Sequence, residues 1–296
     1  SHTLRTVNIN APLPGTHNPD APGNDIRPFG QAAGNILEAE SNGRSVSNSL
    51  NINVNGKFRK LNFWTSYTLA KSSSTDGGTS GSSQNSYDFS QEWGRSSYDF
   101  RHYFYANGSC PAPFGLSFNM FLMGNSGAPF NITIGRDVNG DTIFSERPAF
   151  ATDLNKPGVV QTPLGALDPN PVVGQRIIPR NLGQGPWFLS IGMGAGKEFK
   201  FGRAISPTNV EGKGVVNVEK GASQPTTPVK TPVVRPYSLE FSVYAINLLN
   251  SANPGPPVGN MASPYFLNST GISGQFFGNG GTGGNRQITL SVRLGF

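Results

Sequence analysis

Asp137, Asn139 and Asp141 place side-chain oxygens at alternate positions, and Glu146 follows close behind. Oxygen ligands gathered on one turn suit a hard cation such as Ca²⁺. The run does not follow the EF-hand order, which puts Gly at loop position six and Glu at position twelve. With Asp137 as the first position, Thr142 is sixth and Pro148 twelfth, and proline offers no side-chain oxygen. The same residues also suit a turn held by Asx hydrogen bonds. Asp137, Asn139, Asp141 and Glu146 are thus a candidate Ca²⁺ site, and no other cofactor is expected.

Two other runs invite chemistry and fail on spacing. Gly192, Gly194 and Gly196 precede Lys197, but a phosphate loop needs G-x-x-x-x-G-K-[ST] ahead of a helix. Ile191 stands where the first glycine belongs and Glu198 where the hydroxyl belongs. The lone Cys110 has no cysteine to pair with and no Cys/His signature around it, so it reads as a small strand residue. His2, His17 and His102 are scattered, and no Ser/His/Asp arrangement or carboxylate pair stands out. The expectation is a protein that is not an enzyme. The net charge is +6, with seven basic and three acidic residues between 197 and 235. Nucleic-acid binding calls for Arg and Lys interleaved with aromatics on one element, and that pattern is absent, so no nucleic-acid partner is expected.

The elements that position these residues are strands. Charged residues make up 14% of the chain, against roughly 25% in soluble domains, yet the mean hydropathy is −0.32. Small polar residues replace the charges, and 38 Gly with 24 Pro argue against helices. Period-two alternation recurs seven times. Leu50, Ile52, Val54 and Phe58 begin it, and Leu61, Phe63, Thr65, Tyr67 and Leu69 follow. Residues 101–110 alternate more weakly, and Leu116, Phe118, Met120 and Leu122 resume the pattern. Trp187 to Ala195, Tyr237 to Val243 and Ile288 to Phe296 complete it. The opposite positions hold mostly Asn, Ser, Thr or Gly, as when one face meets lipid and the other a wet lumen. Trp64, Tyr67, Tyr103, Tyr105, Trp187, Phe199, Phe201 and Tyr237 fall near strand ends, where aromatic girdles sit, although strands favour aromatics anywhere.

Connections alternate in length. Lys57 to Lys60 and Pro111 to Gly115 are tight, whereas 72–100, 127–185 and 251–285 are long and rich in Ser, Gly, Pro and Asn. Short periplasmic turns and long outer loops are the outer-membrane pattern. The fold expected is all-β: an antiparallel transmembrane β-barrel segment of about seven to eight long strands with long outer loops. Residues 1–45 would hold a preceding strand end and an outer loop. Residues 46–201 would hold strands one to five, 202–235 a flexible periplasmic connection, and 236–296 the last two strands. The Ser1-His2 opening reads as a processed or truncated start.

Several runs stand out together: the strand Phe63-Trp64-Thr65-Ser66-Tyr67-Thr68-Leu69-Ala70-Lys71, the run Arg95-Ser96-Ser97-Tyr98-Asp99-Phe100-Arg101-His102, and Gly135 to Asp141 followed by Arg147-Pro148. Pro179 to Gly183, Asn247-Leu248-Leu249-Asn250 and the strand ending at Phe296 complete the set. In kind and in order these runs resemble motifs of large TonB-dependent outer-membrane receptors of the Oar-like type. The resemblance implies the C-terminal part of a barrel of roughly 22 strands with a plug in its lumen. It further implies uptake of a ligand, unidentified here, with energy delivered through TonB in the bacterial outer membrane. The partners would be outer-membrane lipid, the remaining barrel and plug, and TonB. A second expectation stays open: a structural protein at the cell surface or outside the cell, whose strand edges pair with other chains into oligomers or fibres.

Overall fold

The computed structural model describes residues 2–18, 21, 23–75, 83–172, 174–203, 235–273 and 284–296. Eight strands form one antiparallel wall. They are β1 (His2–Asn8), β2 (Leu37–Phe58), β3 (Leu61–Ser74), β4 (His102–Pro111), β5 (Leu116–Asn125), β6 (Phe188–Phe201), β7 (Tyr237–Ile246) and β8 (Gln287–Gly295). Each pairs with its neighbour in chain order, and the two-residue strand Gly94–Arg95 joins the outer end of β3. The connection expected over 202–235 lies almost wholly outside the described residues.

Register makes the two faces continuous. Ile52 stands opposite Tyr67, Tyr67 opposite Phe104, and Phe104 opposite Gly124. Further along the wall, Phe118 stands opposite Ala195, Ala195 opposite Val243, and Val243 opposite Leu290. Side chains alternate along a strand, so matched apolar residues in neighbouring strands share one face. That face is solvent-exposed across the sheet, reaching 79% at Leu290. Among the described residues no core covers it. Lys71 stands on it at the outer end, and Lys197 interrupts it toward the short-turn end, its ammonium reaching to 4.8 Å from the Phe199 ring centroid. Long cationic side chains bend in this way to carry their charge out of an apolar band.

Among the described residues the wall is not closed. β1 pairs with residues 37–44 of β2, while β3 pairs with residues 45–58, so the inner stretch of β2 has β3 alone as its described partner. β8 pairs with β7 and, among the described residues, with nothing on its other edge.

Two parts of the sequence expectation need correction. The outer loop ends near Ile36, not residue 45, because β2 begins at Leu37 and runs for 22 residues. Glu38, Glu40, Asn42 and Arg44 lack an apolar face, which hid this extension; backbone pairing with β1 holds it. The segment 127–185 also folds rather than simply looping. Ala149–Phe150, Gly165–Asp168 and Val160–Thr162 make a small sheet, and Pro129–Phe130 pairs with Gly183–Gln184. Ile132, Leu167 and Ile178 form a buried core beneath Phe130, Phe150, Leu164, Leu182, Met261 and Phe266. Short pieces without alternation carry no periodic signal, so this cap could not be read in advance.

The two faces predict opposite tolerances to charge. Val243→Arg should lower folding stability in vesicles by about 2–4 kcal/mol, the cost of Arg near a bilayer midplane. Ser242→Arg, one residue away on the polar face, should cost less than about 1 kcal/mol. Urea midpoints for folding into lipid vesicles measure both, and equal losses would contradict the assignment of faces.

Candidate functional site

The acidic turn sits inside the cap. Asp137 accepts hydrogen bonds from the Gly140 N–H at 2.7 Å and the Thr142 N–H at 2.8 Å. Asp141 is fully buried and accepts from the Ile143 N–H at 2.8 Å. Glu146 Oε1 accepts from the Val138 N–H at 2.8 Å. These bonds curl the chain so that ligand atoms of Asp137, Asp141 and Glu146 lie within 4.8 Å of one another. The remaining expected ligand, Asn139, is used differently. Its amide donates to the Gln84 carbonyl and to Asp141 Oδ2, each at 3.1 Å, and its oxygen accepts from the Asp141 N–H. Asn139 therefore positions the turn. Burial, together with the charges of Asp141 and Asp137, pushes the Glu146 carboxyl up to about 7. Burial also raises Asp141 above the usual carboxylate range.

Beside the turn lies an ionic centre that sequence reasoning missed. Arg147 and Glu92, both almost fully buried, meet at 3.0 Å, and Arg180 approaches the other Glu92 oxygen at 3.4 Å. Arg147 also donates to Gln84 Oε1 at 3.0 Å and to the Gln91 carbonyl at 2.9 Å. A second pair, Arg95 and Asp99, meets at 2.9 Å, while Asp99 caps the Ser72 N–H at 2.6 Å. Arg147-Pro148, Pro179 to Gly183 and Arg95 to His102 carried the family likeness, so the signal was present without its meaning. These runs tie the cap to the outer strand ends. Asn181, at φ 50°, donates to the Arg95 carbonyl at 2.7 Å. Gly94 is packed so tightly on Arg180 that a Cβ would lie 2.7 Å from its carbonyl oxygen. In the remaining run, Asn247 is buried at φ 50° and accepts from the Ser251 N–H at 3.0 Å. The loop it starts supplies Asn253, which bonds both the N–H and the carbonyl of Leu189 at 3.0 Å, replacing a strand partner beyond the end of β7.

The polar face of the wall is not uniformly polar. Phe121, Met123 and Phe188 are buried on it near the cap, and the Phe121 and Tyr244 rings stack at 6.0 Å. Gly192 leaves the room this needs, since a Cβ there would stand 1.9 Å from the Phe121 ring. The glycines before Lys197 thus serve packing on a strand. Trp64 and Tyr105, 5.2 Å apart, share this inner face with Tyr103, so these three do not belong to a girdle on the apolar side. Tyr67 and Trp187 do lie on the apolar side, each stacked near His102, and the Tyr67 hydroxyl bonds His102 Nδ1 at 2.8 Å. Phe199, Phe201 and Tyr237 lie on that side at the opposite end. His17 pairs with Asp25 at 2.9 Å, and Cys110 sits on the apolar side opposite Phe118. Glu240 and Arg293 face each other across β7 and β8 on the inner side, 3.8 Å apart.

A family model described as "Outer membrane beta barrel domain" matches residues 1–289. No curated protein and no solved structure matches the chain.

Two outcomes test the cap's electrostatics. Arg147→Met should leave Glu92 short of a partner and loosen the cap by about 3 kcal/mol, near the low end for a broken buried pair. Hydrogen exchange at residues 84–92 should then quicken by about a hundredfold while the wall is unchanged. The pH dependence follows from Glu146, whose folded value is raised from 4.5 to about 7. The stabilisation it gives is complete below about 4.5 and is lost as pH climbs through about 7. In chelator, cap amides should therefore exchange faster at pH 8 than at pH 5 after correction for intrinsic rates, and a flat or inverted profile would contradict the shift.

Proposed function

The chain belongs to the outer membrane β-barrel domain family, and from that premise we propose that it forms part of the wall and outer cap of a TonB-dependent transporter taking up a ligand. Its place is the bacterial outer membrane. The observation that carries the finer reading is the open wall. At membrane depth β8 and the inner stretch of β2 each lack a second partner among the described residues. A strand edge in hydrocarbon needs its N–H and C=O groups satisfied, and since these two edges are not paired with each other among the described residues, we read further strands as completing the barrel. Barrels much larger than eight strands enclose a lumen, and the 22-stranded ones are plugged transporters. The Oar-like runs at the strand ends and in the cap support the same reading.

The parts divide between passage and entry. The inner face, with Trp64, Tyr105 and Tyr244, lines the lumen and offers rings to a passing ligand. The folded cap of residues 83–101, 126–186 and 247–273 stands at the outer mouth. TonB and a plug supply energy and gating from outside these residues. Binding and passage, not bond chemistry, is the work proposed.

A second reading rests on the same edges: β8, exposed along nearly its whole length, pairs with other copies or another chain to build a surface assembly. Intact mass and detergent requirement of the native protein separate the two. A detergent-extracted species much heavier than 31.5 kDa, with uptake that stops when TonB is deleted, is the expected outcome. A mass near 31.5 kDa in large assemblies released without detergent would overturn the transporter reading.

A further inference from the structure

We propose that residues 137–146 bind one Ca²⁺ ion through the carboxylates of Asp137, Asp141 and Glu146, and that the ion locks three outer loops together. The spacing fits the ion. Oxygens bound to one Ca²⁺ at 2.3–2.6 Å each stand at most about 4.6–5.2 Å apart. The three ligand atoms here lie within 4.8 Å of one another, so one ion can reach all three.

A second observation points into the same space. Glu146 is only 5% exposed, and its Oε2 is buried with no hydrogen-bond partner among the described residues. A buried carboxylate oxygen is costly to leave unpaired. The three carboxylates also form no ion pair among the described residues. Neither neighbouring arginine pairs with these carboxylates. Arg27 donates to the Asn10 and Gly140 carbonyls and reaches Asp141 only through its charge, and Arg147 turns away to Glu92 and Gln84. The turn thus gathers three acidic groups, in a buried setting, with no cationic side chain bonded to any of them among the described residues. Its backbone suits the ion as well. Thr142 takes φ 61° where an EF-hand loop has its glycine, and its N–H bonds the first aspartate.

The position of the turn gives the ion a task. From the loop after β1, Asn35 donates to the Asp141 carbonyl at 2.7 Å and to Thr142 Oγ1 at 2.6 Å. From that same loop His17 packs on Gly140, leaving no room for a Cβ. From the loop after β3, Gln84 and Ser83 accept from Asn139 and Ser145. The turn itself belongs to the loop after β5. Fixing its three carboxylates fixes the surface on which the other two loops rest. The proposal needs only the outer loops as folded, so it stands or falls apart from the transporter reading.

The test uses the full-length protein in detergent, stripped with chelator and titrated with Ca²⁺ alone. Calorimetry should find one Ca²⁺ per chain, with Kd between about 10⁻⁶ and 10⁻³ M, the span from sensors to extracellular modules. Asp141→Asn and Glu146→Gln should each weaken binding at least about tenfold, the loss expected of a missing ligand charge. Ca²⁺ should slow protease cleavage at residues 83–92 and 137–147 in the wild type and not in Glu146→Gln. The heat-modified gel shift of the barrel reports whether each variant is folded. If Asp141→Asn fails that control, Glu146→Gln and the wild-type protection decide. No uptake of Ca²⁺ by the wild type at about 10 mM, well above the weakest of these sites, overturns the proposal. So does wild-type affinity in Glu146→Gln.

Discussion

Everything in this wall depends on one constraint: inside a bilayer a backbone N–H or C=O has no water to bond, so it must bond another strand. The constraint explains why the strands are long and antiparallel and why they follow chain order. It also explains why their register is strict. A slip of one residue would carry Phe118, Ala195, Val243 and Leu290 from lipid to lumen together, so the apolar rows and the backbone ladders fix each other. The edges of β8 and inner β2, unpartnered among the described residues, are the same constraint seen from its open side. They cannot stand in hydrocarbon, and whatever pairs with them sets the size of the barrel.

The cap follows a different economy. Outside the bilayer, loops can bond water, yet these loops bury arginines and carboxylates instead. Glu92 is held between Arg147 and Arg180, and Asp99 between Arg95 and the Ser72 N–H. Buried ion pairs add little net stability over apolar packing, but removing one partner is severe. Their value here is geometric. The Ile132, Leu167 and Ile178 core is too small to specify how three long loops cross, whereas a fixed set of charged hydrogen bonds admits few arrangements. Left-handed Asn181, Asn247 and Asn253 act alike, each spending a side chain on backbone groups that regular structure would have satisfied.

How much of this was legible in the sequence follows from the range of each signal. Alternation is local and repeats, so the seven strands from Leu50 onward and the sidedness of their residues could be read directly. Outer β2 could not, since both its faces are polar and only the pairing partner, β1, marks it as strand. The acidic turn was visible as a cluster because its carboxylates sit within ten residues. The fate of Asn139 was hidden, because it depends on Gln84, which is distant in sequence. Arg147, Glu92 and Arg180 were invisible as a unit for the same reason. Trp64, Tyr103 and Tyr105 fit a girdle by position along the strand, but parity places them on the inner face, and girdles need the outer one.

Parity also explains why the inner face can carry rings at all. A wall strand offers the lumen only every second residue, and the wet side is filled with Asn, Ser and Gly. Aromatic surface is admitted where glycine on the neighbouring strand gives up its own side chain: Gly192 under Phe121, and Gly194 beside Tyr244. At Phe121 that room lets the ring sink into the wall until it is buried, so an apolar side chain packs on the polar face without standing out from it. The polar face and the cap thus use opposite means: glycine makes room for rings within the wall, while buried charges fix how the loops cross above it.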